Sequence, residues 1–399
     1  MARELITVEQ ARAIVLGAVT PLDSETVPVA DGLGRVLTAD VSAAGDVPPF
    51  PCSAMDGYAV KSGPAERTFR VVAESRAGTP AERSISEGEA IRISTGAALP
   101  EGADAVVRQE DVEEHREQIS VAVAVPPGAN VRGAGEDLRV GAPVLAAGTP
   151  LGPAELGYVV AAGAGELTVA RRPQVAILCT GDELRAPGDP LGPGQIHNSN
   201  APMLESLTRR AGGIAQGAER VPDVPDATAA ALERGLEMAD VMVVSGGVSV
   251  GPHDHVKPAL EALGVRELFW GVALQPGKPT WFGERAGRLV FGLPGNPVSS
   301  VVTFTLFVAP ALAALQGAST GPAHAQADLG VSVKCNPARQ QALRVRLERR
   351  DGALVAIPNG PQASHLVSSL VGADALAFIP AGDGELSAGT TVVLEPLWR

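Results

Sequence analysis

Residues 174–184 read Gln174-Val175-Ala176-Ile177-Leu178-Cys179-Thr180-Gly181-Asp182-Glu183-Leu184, an apolar run that ends in a hydroxyl, a glycine and two carboxylates. A run without polar alternation, bounded by Pro173 and Gly181, is the pattern of a strand buried on both faces. The pattern recurs twice. Residues 240–244 lead into Ser245-Gly246-Gly247-Val248-Ser249-Val250-Gly251-Pro252-His253-Asp254, and residues 289–291 into Gly292-Leu293-Pro294-Gly295-Asn296-Pro297-Val298-Ser299. Helical stretches lie between the runs, near 202–211 and near 227–238, the second with Asp226 as its cap. Strands alternating with helices predict an α/β domain with a parallel sheet and right-handed crossovers. All three loops then meet at the carboxyl edge of the sheet, where open α/β folds place their ligands.

Outward from this domain, assigned to 171–318, the texture changes. Residues 46–136 carry short β-like runs at 69–73, 90–93, 105–108 and 119–125, separated by Gly/Pro turns, and predict a β-rich insertion. Residues 1–45 and 137–170 flank it as an elongated linker domain. The first opens on a helix with Thr7 and Gln10 in capping-box spacing, and the second reads as helical, with Pro153 in a first turn and Gly163 as a stop. Residues 319–399 return to short strands and predict a small C-terminal β-barrel. The fold class is therefore multidomain α/β.

Composition narrows the function. With 32 basic and 45 acidic residues the net charge is −13, and aromatics are only 3%. Such a chain lacks both the field and the stacking platforms for nucleic acid. Three scattered cysteines argue against a disulfide framework or a cysteine zinc site, and for a cytoplasmic home. The apolar stretch 298–315 contains Ser299, Ser300, Thr303, Thr305 and Pro310 without basic flanks, so it reads as a buried helix rather than a membrane span.

The loop chemistry points to an anionic ligand. Gly246, Gly247 and Gly251 let backbone approach closely, and Ser245 and Ser249 offer hydroxyls. Asn296 as N-cap with Pro297 at the first helical position aims free N–H groups at an anion. Asp182, Glu183 and Asp254 are hard oxygen ligands suited to Mg²⁺ carried on a phosphate, and Lys278 adds a cation. No P-loop and no GxGxxG follows a strand, so dinucleotide binding has no support. His253-Asp254-His255 reads as structural rather than as a zinc site.

Taken with Asp46-Val47-Pro48-Pro49-Phe50, Ser53-Ala54-Met55-Asp56-Gly57-Tyr58-Ala59, Arg92-Ile93-Ser94-Thr95-Gly96, Gly135-Glu136-Asp137 and Pro276-Gly277-Lys278-Pro279, the loops make the whole chain resemble the molybdopterin molybdotransferase family, whose eukaryotic relatives include the C-terminal part of gephyrin. The resemblance implies a transferase that takes adenylylated molybdopterin and molybdate, with Mg²⁺, and yields molybdenum cofactor and AMP. It implies a homodimer whose active site is shared between subunits, and contacts with a molybdopterin adenylyltransferase and with molybdoenzymes. By matching position it implies catalytic roles for Asp56, Thr95, Asp137, Glu183 and Asp254, with Glu183 and Asp254 on the metal. Substrate or oxyanion contacts fall to Ser245, Gly246, Gly247, Ser249, Gly251, Lys278, Pro279, Pro294, Gly295, Asn296, Pro297, Ser299, Asp223, Arg344, Ser364 and Ser369.

The sequence departs from that pattern at Gly271 and Gln275, where some members carry lysine. A neutral amide contacts an oxyanion about half as strongly as a charged donor, which bears on molybdate more than on the pterin. Three alternatives stand beside the main reading. One is a molybdopterin adenylyltransferase, which would not need the insertion bearing Asp56 and Thr95. The others are a scaffold and a diverged molybdopterin-binding paralogue handling tungstate.

Overall fold

The computed structural model describes residues 4–248, 254–319 and 325–397. The chain divides into two compact units, one of Thr26–Leu33 and Leu37–Val169, the other of Met1–Glu25, Gly34–Val36 and Ala170–Arg399. Helix α1 (Val8–Gly17) belongs to the larger unit. It starts at the expected capping box, in which Gln10 N–H donates to Thr7 Oγ1 at 3.2 Å and Thr7 N–H to Gln10 Oε1 at 2.9 Å.

In the smaller unit, β1 (Gly57–Val60), β2 (Arg67–Ser75), β3 (Glu89–Ile93), β4 (Ala105–Arg108), β5 (Glu113–His115) and β6 (Gln118–Val121) form a sheet in the order β4-β1-β3-β2-β6-β5. Tyr58, Val60, Phe69, Ile119 and Val121 pack its core. A Cβ on Gly57 would stand 2.0 Å from the Val107 carbonyl oxygen, so only glycine lets β1 lie against β4 there. The stretch 137–170 is less helical than expected. Only α2 (Pro153–Ala161) is a helix, while Pro143–Leu145 and Glu166–Ala170 are strands. Leu167 and Val169 are buried and Glu166 and Thr168 are exposed, a period of two that favours the strand.

The larger unit holds β7 (Gln174–Thr180), β8 (Ile214–Val221), β9 (Val241–Ser245), β10 (Arg266–Trp270), the short β11 (Leu274–Gln275), β12 (Trp281–Arg285) and β13 (Arg288–Leu293). The main sheet runs β8-β7-β9-β13-β12-β10. The first four strands are parallel as expected, but β12 runs antiparallel to both of its neighbours, β13 and β10, so the sheet is mixed. The reason is local: Ala286 (φ 50°) and Gly287 (φ 80°) make a two-residue turn that sends the chain straight back from β12 into β13.

Continuous apolar strands follow from cover on both faces. Val175, Ile177 and Cys179 of β7 belong to a core shared with α1, α3 (Asn200–Arg210) and α6 (Pro297–Leu315). Ala176 and Leu178 face a second core with α4 (Pro225–Met238) and α5 (Val256–Ala262). The N-cap of α4 is Val224 rather than Asp226, which lies in the first turn; Pro225 at the first position has no N–H to be capped. Helix α6 is long and apolar enough to cross a bilayer, yet 72% of it is buried inside the protein. It contains a π turn over Phe304–Val308 in which Ala309 N–H reaches back to Phe304 O. The wider turn precedes Pro310, whose ring would collide with the carbonyl four residues back in a regular helix.

The C-terminal strands β14 (Gln326–Leu329), β15 (Gln340–Arg350), β16 (Ala353–Pro358), β17 (Ala375–Ile379) and β18 (Thr391–Pro396) follow the order β15-β16-β14-β18-β17, and β15 pairs again with β17 to close a barrel. At its open end β11 pairs in parallel with Gln340–Gln341 of β15, tying the barrel to the α/β domain of the same unit.

Candidate active site

Register brings the three loops together. Cys179 on β7 pairs with Ser245 on β9, and Ser245 with Leu293 on β13, so the strands end level with one another. Beyond these ends lies a cavity of about 620 Å³, within the usual range for small-molecule sites. Its α/β wall comes from Cys179, Thr180, Glu183, Asn198, Asn200, Ser245 and Gly295–Pro297, and its barrel wall from His365 and Val367.

Gly246 and Gly247 follow Ser245 of the first wall without lining the cavity themselves, and glycine geometry fixes both. Gly246 has φ 94°, and a Cβ on it would meet Thr180 Oγ1 at 2.7 Å and Thr180 O at 2.9 Å. Its N–H donates to Leu293 O at 3.0 Å, so Gly246 is pinned between the loops on either side. Gly247, at φ 66°, meets Val256 in the same way. Ser249 and Gly251 lie outside the described residues, as does His253. Asp254 is half-buried just ahead of α5.

A buried polar network lies under this wall. Asn200 Nδ2 donates to Ser245 Oγ at 2.8 Å and to Gly295 O at 2.7 Å. Ser245 Oγ lies 3.2 Å from Ser300 Oγ, which donates to Pro294 O at 2.7 Å. Ser299 is buried, its carbonyl accepting from Thr303 Oγ1. Asn296 does not cap its own helix: its Nδ2 donates to Ser364 Oγ at 3.1 Å, and Val298 N–H donates to Ser364 O at 3.1 Å. One N–H expected to face an anion is thus already taken by the barrel. Neither Asn198 nor Asn200 was singled out by sequence reasoning. The signal was present as two asparagines around Ser199 at a helix start, a cap-forming composition.

Arg344 does not reach the surface. It is wholly buried on β15, its Nε donating to Ser369 Oγ at 3.2 Å, and its Nη1 has no partner among the described residues. Burial pushes its guanidinium down to about 10, and no acidic side chain pairs with it among the described residues. Ser369 in turn donates to Leu366 O at 2.7 Å, so Arg344 braces the 363–369 loop from behind rather than entering the cavity. Cys179 is also buried, which raises its thiol to about 11 against a hydrogen bond with Asn198, and keeps it neutral.

The remaining expected residues fall around this centre. Glu183 lines the cavity with its carboxylate folded over Gly181. Asp223 accepts from Asp182 N–H at 3.3 Å, and Asp182 Oδ1 accepts from Asp223 N–H at the same distance; this reciprocal pair braces the loop rather than lining the cavity. Lys278 is exposed, and neither it nor Pro279 is in the cavity lining. Gln275 Oε1 accepts from Asn336 Nδ2 at 2.6 Å, so half of that amide is engaged. At Gly271, φ is 89° and a Cβ would meet Leu5 at 2.7 Å, which excludes a lysine without local rearrangement. In the smaller unit the structure does bring Asp56 and Thr95 together: Asp56 Oδ1 accepts from Thr95 N–H at 2.7 Å and Thr95 Oγ1 at 3.1 Å. Asp137 is exposed, its own N–H held by Val47 O.

A mixed α/β sheet with glycine-bearing loops at its carboxyl edge, faced by a closed barrel, is the architecture of an α/β protein with a small-molecule cavity at its strand ends. The comparisons bear on the whole chain. Residues 6–163 match the MoeA N-terminal region (domain I and II), residues 176–314 a probable molybdopterin binding domain, and residues 326–397 the MoeA C-terminal region (domain IV). The molybdopterin molybdenumtransferase of Haemophilus influenzae is 34% identical, with 98% of each chain covered. Molybdopterin molybdenumtransferase 2 of Mycobacterium tuberculosis is 36% identical over 92% of this chain and 93% of the relative. A molybdopterin biosynthesis MoeA protein of Pyrococcus horikoshii superposes with a TM-score of 0.82 at 29% identity, covering 98% of this chain and 99% of that one. The chain belongs to the MoeA family of molybdopterin molybdenumtransferases.

Proposed function

We propose that this protein inserts molybdenum into molybdopterin, taking the adenylylated pterin and molybdate as substrates and releasing AMP. The observation that carries the reading is the convergence of three strand-end loops on one cavity, lined by Thr180 and Glu183 from the first, Ser245 from the second and Gly295–Pro297 from the third. Ser245, Gly246 and Gly247 supply backbone and hydroxyl contacts to the phosphate end, and the 364–369 loop closes over the ligand.

Glu183 explains the need for a divalent ion. A carboxylate facing an anionic substrate repels it unless a cation lies between them. Mg²⁺ is commonly held by one or two carboxylates plus substrate phosphate. Glu183 and Asp254 would hold it, and it would neutralise charge that develops at the scissile phosphate. Lys278 draws the oxyanion by its charge from outside the cavity. The Asp56–Thr95 pair and Asp137 complete the site when contributed by a second copy of the chain, which makes the working form a homodimer. A cytoplasmic location and exchange with an adenylyltransferase and with molybdoenzymes follow from the same reading.

The test is AMP release from adenylylated molybdopterin with Mg²⁺, with molybdate supplied or withheld. Release should depend on molybdate and fall by about a hundredfold or more in Glu183→Gln and Asp254→Asn, as expected when a metal ligand for the transition state is lost. Release indifferent to both changes would move the chemistry out of this cavity.

A further inference from the structure

Asn200 is held entirely through its nitrogen. The side chain is 8% exposed, and its Nδ2 makes two hydrogen bonds, to Ser245 Oγ and to Gly295 O, while Oδ1 has no partner among the described residues. The amide orientation is not interchangeable, because a main-chain carbonyl such as Gly295 O only accepts. The two partners lie on different loops: Ser245 ends β9, and Gly295 precedes α6. Both line the cavity, and so does Asn200 at the first turn of α3. No other side chain hydrogen-bonds to both loops among the described cavity-lining residues. Ser300 continues the network one step behind the wall, at 3.2 Å from Ser245 Oγ and 2.7 Å from Pro294 O.

We propose that Asn200 is a positioning residue for the pterin substrate: by donating to Ser245 and Gly295 together, it sets the gap between the Ser-Gly-Gly loop and the start of α6. This rests on the reading that the cavity binds molybdopterin. It assigns Asn200 no contact with reacting atoms. Its effect is on affinity, because a shift of either loop moves several ligand contacts at once.

Asn200→Asp tests the role because it keeps the shape and the idle oxygen and removes only the donors. An ionised carboxylate then faces the Gly295 carbonyl. On protonation, one O–H is regained for that carbonyl, and burial raises the pKa of such a group above the ordinary carboxylate range. The dissociation constant for molybdopterin, followed by pterin fluorescence, should rise about tenfold to a hundredfold at about pH 8, the size of a lost buried hydrogen bond with a group left facing it unpaired. It should return to within about threefold of the parent near pH 5.5 as the carboxyl protonates. Glu183, His197, His365 and Cys179 also line the cavity, so the parent protein over the same pH range is the baseline. A role in stability alone would lower the melting temperature and leave the ratio of the two constants flat with pH. That flat ratio, with tight parental binding, overturns the proposal by itself. A parent that binds no molybdopterin overturns the underlying reading as well. If Asn200→Asp does not fold, Ser300→Ala cuts the same network behind the wall. It should weaken binding about threefold to tenfold; unchanged binding there overturns the proposal.

Discussion

One wall of the cavity is made by the ends of β7, β9 and β13 and the other by residues 364–367 of the barrel, and they are fixed by different physics. The α/β wall is held by backbone. Parallel register levels the strand ends, and Gly246 fits between Thr180 and Leu293 only because it has no side chain. The barrel wall is held by side chains, with Arg344 bracing it through Ser369 and Asn296 hooking Ser364. A wall built on backbone resists substitution by steric exclusion, whereas one built on side chains can be loosened one bond at a time.

The largest effect should come from breaking the first wall. Gly246→Ala places a methyl against Thr180 at a backbone angle that L residues avoid. It should cost about 3 kcal/mol in urea unfolding, from strain and overpacking together, and reduce AMP release by about a hundredfold or more. Arg344→Met should separate stability from binding. A cation whose folded pKa lies below its ordinary value costs stability wherever it is charged, so at neutral pH the buried Arg344 is a burden to the fold. Its replacement by an apolar side chain should leave the melting temperature within a few degrees or raise it, by the usual outcome for buried charges. The 363–369 loop loses its brace, and KM for adenylylated molybdopterin should rise about tenfold, the cost of one or two lost charged hydrogen bonds. A large fall in melting temperature would mean that the arginine stabilises the barrel and that the contrast between the walls is wrong. Asn296→Ala sharpens the comparison at its small end. The Asn296–Ser364 bond is exposed, so stability should change by less than about 0.5 kcal/mol and KM by about twofold, because water replaces an exposed partner cheaply.

The same contrast explains what the sequence disclosed. The α/β wall was legible because its causes are local: an unbroken apolar run means a covered strand, and glycines after it mean close approach. The antiparallel edge was not, although Ala286-Gly287 carried its turn signal, because the alternation of strands and helices elsewhere pointed to a parallel sheet. Arg344 sits between Leu343 and Val345, an ordinary strand alternation in which its outward-looking charge turns out to be enclosed by long-range pairing with β17 and by the 363–369 loop. Asn200 was hidden for a similar reason: asparagine at a helix start reads as a cap, while its real partners lie 45 and 95 residues away. Asp56 and Thr95 were found by resemblance. Their direct hydrogen bond shows that they lie side by side, a fact that no spacing of 39 residues could reveal.

The buried, apolar α6 has a consequence for how the chain is made. On hydropathy alone its 19 residues qualify for a bilayer, and a ribosome delivering them early would expose the kind of segment that membrane-insertion machinery recognises. Every strand of the mixed sheet, from Gln174 to Leu293, is synthesised before Pro297. A vectorially emerging α6 therefore finds the sheet face of its apolar cover already outside the tunnel and can dock on it as it appears, with Leu370, Leu376 and Leu397 joining the same core later. Placing the greasiest helix after its own binding surface is a safeguard written into the order of elements.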